Sequence, residues 1–182
     1  VHDLYIARRA QAAEAVPNPA HHALSRLEAE YTGEVLLITQ NVDGVHEKAG
    51  SKNVIHMHGE LAGAMCNACD HRWTAPLKMA PDDPCPACAA PATRPDVVWF
   101  GEFPYHAEVT EAALSEADIY AAIGTSGQVY PAAAFGQMAA AMGARTIELN
   151  LEPSAASRDF HECRLGKASQ IVPLWVNELL NP

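Results

Sequence analysis

Two pairs of cysteines constrain this chain more than any other feature: Cys66-x2-Cys69, fifteen intervening residues, then Cys85-x2-Cys88. Each CxxC knuckle sets two thiolates on one side of a metal, and two knuckles close a tetrahedral shell of the kind that holds Zn2+. A shell of four protein ligands leaves no open position, so the zinc expected here is structural. Paired CxxC spacing also argues for a reducing compartment rather than a disulfide framework, which places the expected location in the cytoplasm. His71 lies near the knuckles but the cysteine set is complete without it, and Cys163 reads as an ordinary core or surface cysteine.

Around this module the pattern is that of strands alternating with helices. Residues 1–30 read as helical, broken at Pro17-Asn18-Pro19. Glu34 to Thr39 is a short apolar run of the kind buried on both faces of a sheet, followed by the polar turn Gln40 to Gly44. Asn53 to His58 reads as a strand ended by Gly59. From Cys66 to Pro95 the texture shifts to Cys, Pro and Asp, as in an inserted module. Asp96 to Phe100 returns to a strand, and a helix is expected from about Tyr105 to Glu116. Then come a strand Asp118–Ile123, a helix Pro131–Met142, a strand Thr146–Leu149, a short strand Gln170–Val172 and a closing helix Leu174–Leu180. The alternation predicts an α/β fold built on a parallel sheet, with a small inserted zinc-binding module.

The chain has 182 residues, 49% of them hydrophobic, enough for one sizeable core and a small satellite. Twelve Lys and Arg against 22 Asp and Glu give a net charge of −10 with no basic cluster beyond Arg8-Arg9, so no nucleic-acid partner is expected. No apolar run approaches the ~20 residues that span a bilayer, and no membrane partner is expected either. Val1 is not an initiator methionine, and the first residues read as helix interior, so an N-terminal segment is expected ahead of them.

Candidate chemistry sits at strand ends. Gly124-Thr125-Ser126 follows a buried strand, just ahead of the expected helix, where backbone N–H groups and small hydroxyls can approach a phosphate. Asn150-Leu151-Glu152 ends the next strand, where an amide or acid commonly holds a nucleotide ribose. Without a GxGxxG, a plain tight turn fits the first of these equally well. Gln40-Asn41-Val42-Asp43 and His56-Met57-His58-Gly59 open two further strand ends. Histidine is the natural base at neutral pH, although a lone histidine of this kind is more often structural. Spaced two apart on a strand, His56 and His58 would face the same way.

In order along the chain stand TQNVDGVHEKAG, IHMHGE, the two knuckles, VVWFGE, IGTS, ELNLEP and KASQIVP. This ordered series, from about Tyr5 to the end, resembles the sirtuins. The resemblance implies an NAD-dependent protein-lysine deacylase acting on acylated-lysine proteins as a monomer. It implies a helical segment, 1–30, that contributes to the acyl pocket, a Rossmann-like NAD-binding domain of residues 31–60 and 96–182 with helices on both faces of its parallel sheet, and the zinc module as an insertion over 61–95. His58 would be the catalytic base and His56 structural. Gln40, Asn41, Val42 and Asp43 would line the nicotinamide and ribose pocket. Gly124, Thr125 and Ser126 would meet phosphates and ribose; Asn150, Leu151 and Glu152 the adenosine ribose; and Ala168 the adenine edge. Val97, Val98, Trp99, Phe100, Gly101 and Glu102 would clamp the substrate backbone by β-pairing. The implied chemistry is attack of the acyl-lysine carbonyl oxygen on the ribose carbon that bears nicotinamide. His58 then takes a ribose hydroxyl proton, and free lysine, nicotinamide and O-acyl-ADP-ribose result.

Tyr5-Ile6-Ala7-Arg8 adds a preference. Residues i and i+3 of a helix project together, so a phenol and a guanidinium can converge on one carboxylate. The pair resembles the Tyr-x-x-Arg of class III sirtuins, which accept succinyl- and malonyl-lysine as well as acetyl-lysine; Arg9 matches that spacing less well. The glycine-rich turn close to GAGxSxxSGIPxFR that sirtuins carry ahead of this region is not within the 182 residues. Two other readings stay open: an NAD-dependent protein ADP-ribosyltransferase, and a zinc-containing fragment without catalysis.

Overall fold

A computed structural model describes residues 2–80 and 82–182. Val1, expected in the first helix, and Pro81, in the four-cysteine module, lie outside them. The chain divides into two units: the N-terminal residues to Val16 with Leu37–His106, and Pro17–Leu36 with Ala107–Pro182. Among the described residues no helix is long and apolar enough to cross a membrane.

The first unit holds helix α1 (His2–Glu14), strand β1 (Leu37–Thr39), helix α3 (Val45–Lys48) and strands β2 (Val54–His56), β3 (Gly59–Cys66), β4 (Arg72–Thr74) and β5 (Thr93–Val97). β1 and β2 pair in parallel, Leu37 opposite Val54. The expected strand from Glu34 is confined to its last three residues. β3 is the centre of an antiparallel sheet, flanked by β4 and β5. Gly59 opens β3 rather than closing the strand before it. Its φ is +78°, and a Cβ there would stand 2.1 Å from the Asp96 carbonyl oxygen, so only glycine fits this crossing. Asp96 accepts from Arg72 Nε at 3.0 Å and from the Tyr105 hydroxyl at 2.8 Å, which braces β4 against β5. α1 is held at three places along its length. The Tyr5 hydroxyl accepts from Trp99 Nε1, Arg9 Nε donates to the Leu61 carbonyl, and Lys48 Nζ donates to the carbonyls of Ala12, Ala13 and Ala15. Those last carbonyls lack helical partners, and a cation suits them.

The second unit holds helix α2 (Pro19–Glu30), helix α4 (Ala107–Glu116), strand β6 (Ile119–Ile123), helix α5 (Phe135–Ala141), strand β7 (Arg145–Asn150), strand β8 (Glu162–Leu165) and helix α6 (Ala168–Leu180). The Pro17-Asn18-Pro19 break is also a start signal: Asn18 caps α2, accepting from the Ala20 amide at 2.8 Å, while His21 returns a bond to the Asn18 amide. β6, β7 and β8 form a parallel ladder in that order. Ile147 and Leu149 on one face of β7 pack against Ala20, Ala23 and Leu27 of α2 and Val172, Trp175 and Val176 of α6.

Two expectations are corrected here. Gln170–Val172 is not a strand but the first turns of α6, with Pro173 inside the helix. The apolar pair before a proline imitates a strand end, yet Val172, Trp175 and Val176 have helical spacing and bury one stripe. The last strand is instead β8, whose residues alternate between half-buried and exposed.

Candidate active site and metal centre

The four cysteine sulfurs lie within 4.8 Å of one another. Cys66 and Cys88 are 3.7 Å apart and Cys69 and Cys85 3.8 Å. A tetrahedron with Zn–S bonds of about 2.3 Å has edges of about 3.8 Å, so this set fits Zn2+. The two knuckles are built alike. Ala68 N–H and Ala87 N–H point at Cys66 and Cys85 sulfurs, and Asp70 and Ala89 adopt positive φ as each loop turns back onto its first cysteine. Bound zinc would tie the end of β3 to the loop before β5 and leave no position for substrate.

The polar turn after β1 is fixed from three sides. Met57 N–H donates to the Thr39 carbonyl, Leu61 N–H to Val42, and Asn41 N–H to the Thr39 hydroxyl. Asp43 accepts from Val45 N–H and so starts α3. Two histidines reach successive carbonyls of this turn. His56, 8% exposed, sets Nδ1 at 3.3 Å from the Asn41 carbonyl and Nε2 at 2.7 Å from Glu47. Both of its nitrogens are occupied, which suits a structural residue. His58 differs. Its Nδ1 lies 3.2 Å from the Gln40 carbonyl, which can only accept, so Nδ1 carries the proton. Nε2 of the neutral ring then holds a lone pair with no intramolecular partner among the described residues. That is the arrangement of an oriented base.

The segment Val97–Glu102 is corrected in shape. β5 stops at Val97, and a tight turn follows because the Glu102 carboxylate takes Trp99 N–H at 2.8 Å while Glu102 N–H returns to the Trp99 carbonyl. Gly101, at φ +90°, permits the turn. Val98 N–H donates to the His58 carbonyl. Among the described residues the Val98 carbonyl and the Phe100 and Gly101 amides stand outside the bonds that close this turn. The turn is locked by Arg94, a residue the sequence reading passed over. It is 7% exposed, forks onto Glu102 at 2.6 and 2.8 Å, donates to the Val97 carbonyl at 2.7 Å and lies 3.7 Å over the Trp99 ring. This guanidinium holds the Glu102 carboxyl down at about 2. Trp99 Nε1 in turn donates to the Tyr5 hydroxyl at 2.9 Å. Arg8 is exposed, with no acid paired to it among the described residues, whereas Arg9 is buried against β3.

In the second unit Gly124-Thr125-Ser126 stand at the end of β6. Gly124 has φ +64°, and open space where a Cβ would project. The expected helix does not follow at once. A single 3-10 turn at Ala132–Ala134 leads into α5, which begins only at Phe135, so α5 does not start directly after this turn. Asn150 ends β7 and donates from Nδ2 to the Thr125 carbonyl at 2.8 Å and to Glu148 at 3.0 Å. Leu151 and Glu152 are exposed beyond it, and Ala168 opens α6. Gly166 N–H donates to the Asn150 carbonyl, which brings the start of α6 beside the β7 end. Glu148 does carry a signal in the sequence, an acid set between Ile147 and Leu149, whereas Arg94, next to Pro95 and Asp96, carries none.

Residues 3–131 match the Sir2 family. The chain is 54% identical to a Caulobacter vibrioides NAD-dependent protein deacylase, over 99% of this chain and 77% of that one. It is 50% identical to the Leishmania major NAD-dependent protein deacylase SIR2rp3, over 90% and 69%. Among solved structures, a Sir2 homolog–NAD complex superposes with a TM-score of 0.88 at 34% identity, covering 96% of this chain and 69% of that one. A Sir2 bound to acetylated peptide gives 0.82 at 26%, covering 92% and 73%. With its α/β fold, parallel ladders and four-cysteine cluster, the chain belongs to the Sir2 family, a class of NAD-dependent enzymes.

Proposed function

We propose that this chain removes acyl groups from protein lysines at the expense of NAD, giving free lysine, nicotinamide and O-acyl-ADP-ribose. The observation that carries this reading is His58. Its Nδ1–H is spent on the Gln40 carbonyl, so Nε2 is the atom that accepts a proton, and it does so beside the polar turn Gln40–Asp43. His58 acts as the base that takes a ribose hydroxyl proton. Gln40, Asn41, Val42 and Asp43 surround the nicotinamide ribose, and Gly124, Thr125, Ser126, Asn150, Leu151, Glu152 and Ala168 receive the rest of the nucleotide. Residues 31–60 and 96–182 serve as the NAD-binding domain. The module over 61–95 holds Zn2+ in a structural role, and the chain works as a monomer in the cytoplasm.

Succinyl- and malonyl-lysine are the preferred substrates, with acetyl-lysine also accepted. Two facts support this. Arg8 offers an exposed cation, with no acid paired to it among the described residues, one helical turn from Tyr5, and the Tyr5 hydroxyl already accepts from Trp99, which leaves its own O–H to donate. In a dry pocket such a pair favours an acidic acyl group by roughly 2–4 kcal/mol.

Incubation with NAD and matched succinyl- and acetyl-lysine peptides, followed by mass spectrometry, tests both levels. Faster loss of succinyl with O-succinyl-ADP-ribose appearing is the expected result. Equal or acetyl-favouring rates would remove the acidic preference. Mass added to a protein without acyl loss would favour ADP-ribosyl transfer, and no turnover would remove the enzyme reading for this chain.

A further inference from the structure

Glu148 lies at the middle of β7 and is 0% exposed, an acid inside the apolar run TIEL with no basic group paired to it among the described residues. A buried acid without a cation is costly unless its oxygens are satisfied, and here they are. One oxygen accepts from the Asn150 amide at 3.0 Å, the other from the Ser157 hydroxyl. The second Asn150 N–H donates to the Thr125 carbonyl at 2.8 Å. Flipping this amide would set its oxygen against the Thr125 carbonyl, which has no hydrogen to give, so the network fixes the orientation. Asn150 Oδ1 is thereby the atom left without an intramolecular partner among the described residues at the strand end.

We infer that Glu148 is a positioning residue for the nucleotide: it holds Asn150 so that an acceptor, Oδ1, meets the hydroxyls of the adenosine ribose. This rests on the proposed placement of that ribose at Asn150. An acceptor suits a ribose with free hydroxyls, whose O–H groups donate, and offers nothing to a 2′-phosphate. The site therefore selects unphosphorylated nucleotide through a residue that never touches it.

The test is calorimetric titration of the full chain with NAD, with NAD lacking the 2′- or the 3′-hydroxyl of the adenosine ribose, and with NADP. In the wild type, loss of one of these hydroxyls is expected to weaken binding about five- to tenfold, and NADP to bind at least about tenfold less tightly than NAD. Glu148→Met removes the acceptor that holds Asn150 and is expected to cut the hydroxyl discrimination to about twofold or less. Glu148→Gln keeps one acceptor for the Asn150 amide and can donate to Ser157, so it is expected to discriminate like the wild type. A purely structural role for Glu148 would weaken all ligands alike and leave their ratios unchanged. Retained discrimination in Glu148→Met, or equal loss in both variants, overturns the inference. NADP binding as tightly as NAD overturns it from the wild type alone, whether or not the Met variant folds. A wild type that binds NAD without discriminating either hydroxyl, or binds no NAD, removes instead the placement of the ribose on which the inference rests.

Discussion

Trp99 couples the turn after β5 to Tyr5 of α1 through a single N–H. Trp99→Phe keeps a ring over Arg94 and deletes only the donor to Tyr5. The phenol then loses the contact that fixes its oxygen, and succinyl-peptide kcat/KM is expected to fall roughly 3- to 10-fold while acetyl-peptide turnover changes less than about twofold. Equal losses on both peptides would mean that Trp99 shapes the site as a whole and not Tyr5. His58 and His56 make a related contrast with a different cause. They are one residue type two positions apart, and their roles separate only because Glu47 fills the second nitrogen of His56. Nothing local to the IHMHGE motif announces Glu47, which reaches it from α3.

At the scale of elements, β5 and its turn are held by the Arg94–Glu102 fork, and that fork has a pH signature. Arg94 lowers the Glu102 carboxyl from 4.5 to about 2. A depressed acid stabilises the folded state above its unfolded pKa and loses that contribution as pH falls through the folded one. The difference in melting midpoint between the wild type and Glu102→Gln is therefore expected to hold above about pH 5 and to close between about 4.5 and 2. A difference that persists at pH 2 would assign the effect to the bonds to Trp99 N–H instead. Element types were largely legible from the sequence because a strand such as Ile119–Ile123 is an apolar run followed by small or polar residues. β3 and β4 were not, since the small residues of GELAGAMC mask the alternation of its buried positions and RWT is only three residues long. β8 escaped because ECRL carries its charges into ion pairs, Arg164 with Glu162 and Glu178, that a sequence cannot display. The metal ligands were fully legible because spacing alone closes a tetrahedron. The positioning residues Arg94 and Glu148 were not, because their partners lie 8 and 9 residues away in folded turns.

For the whole molecule, zinc should matter unevenly. The sulfurs tie β3 to β5 in the first unit, whereas the core of Leu149, Val172 and Val176 contains none of the four ligands. One zinc per chain is expected by elemental analysis, and Cys85→Ser is expected to abolish it. Hydrogen exchange after chelation should then quicken first at Ala64 and Met65 and only later at Leu149 and Val176. Simultaneous loss of protection in both places would show that the metal supports the entire chain.

A rod needs two fixed points to set its direction, and α1 has three. Tyr5, Arg9 and the carbonyls of Ala12 to Ala15 are each fastened to a different element, at intervals of about 6 Å along the axis. Removing any one leaves the axis defined by the other two. The two side chains proposed to read the acyl group can therefore be exchanged without tilting the helix that presents them. The proposed acyl preference thus rests on two side chains of α1 and not on the direction of its axis.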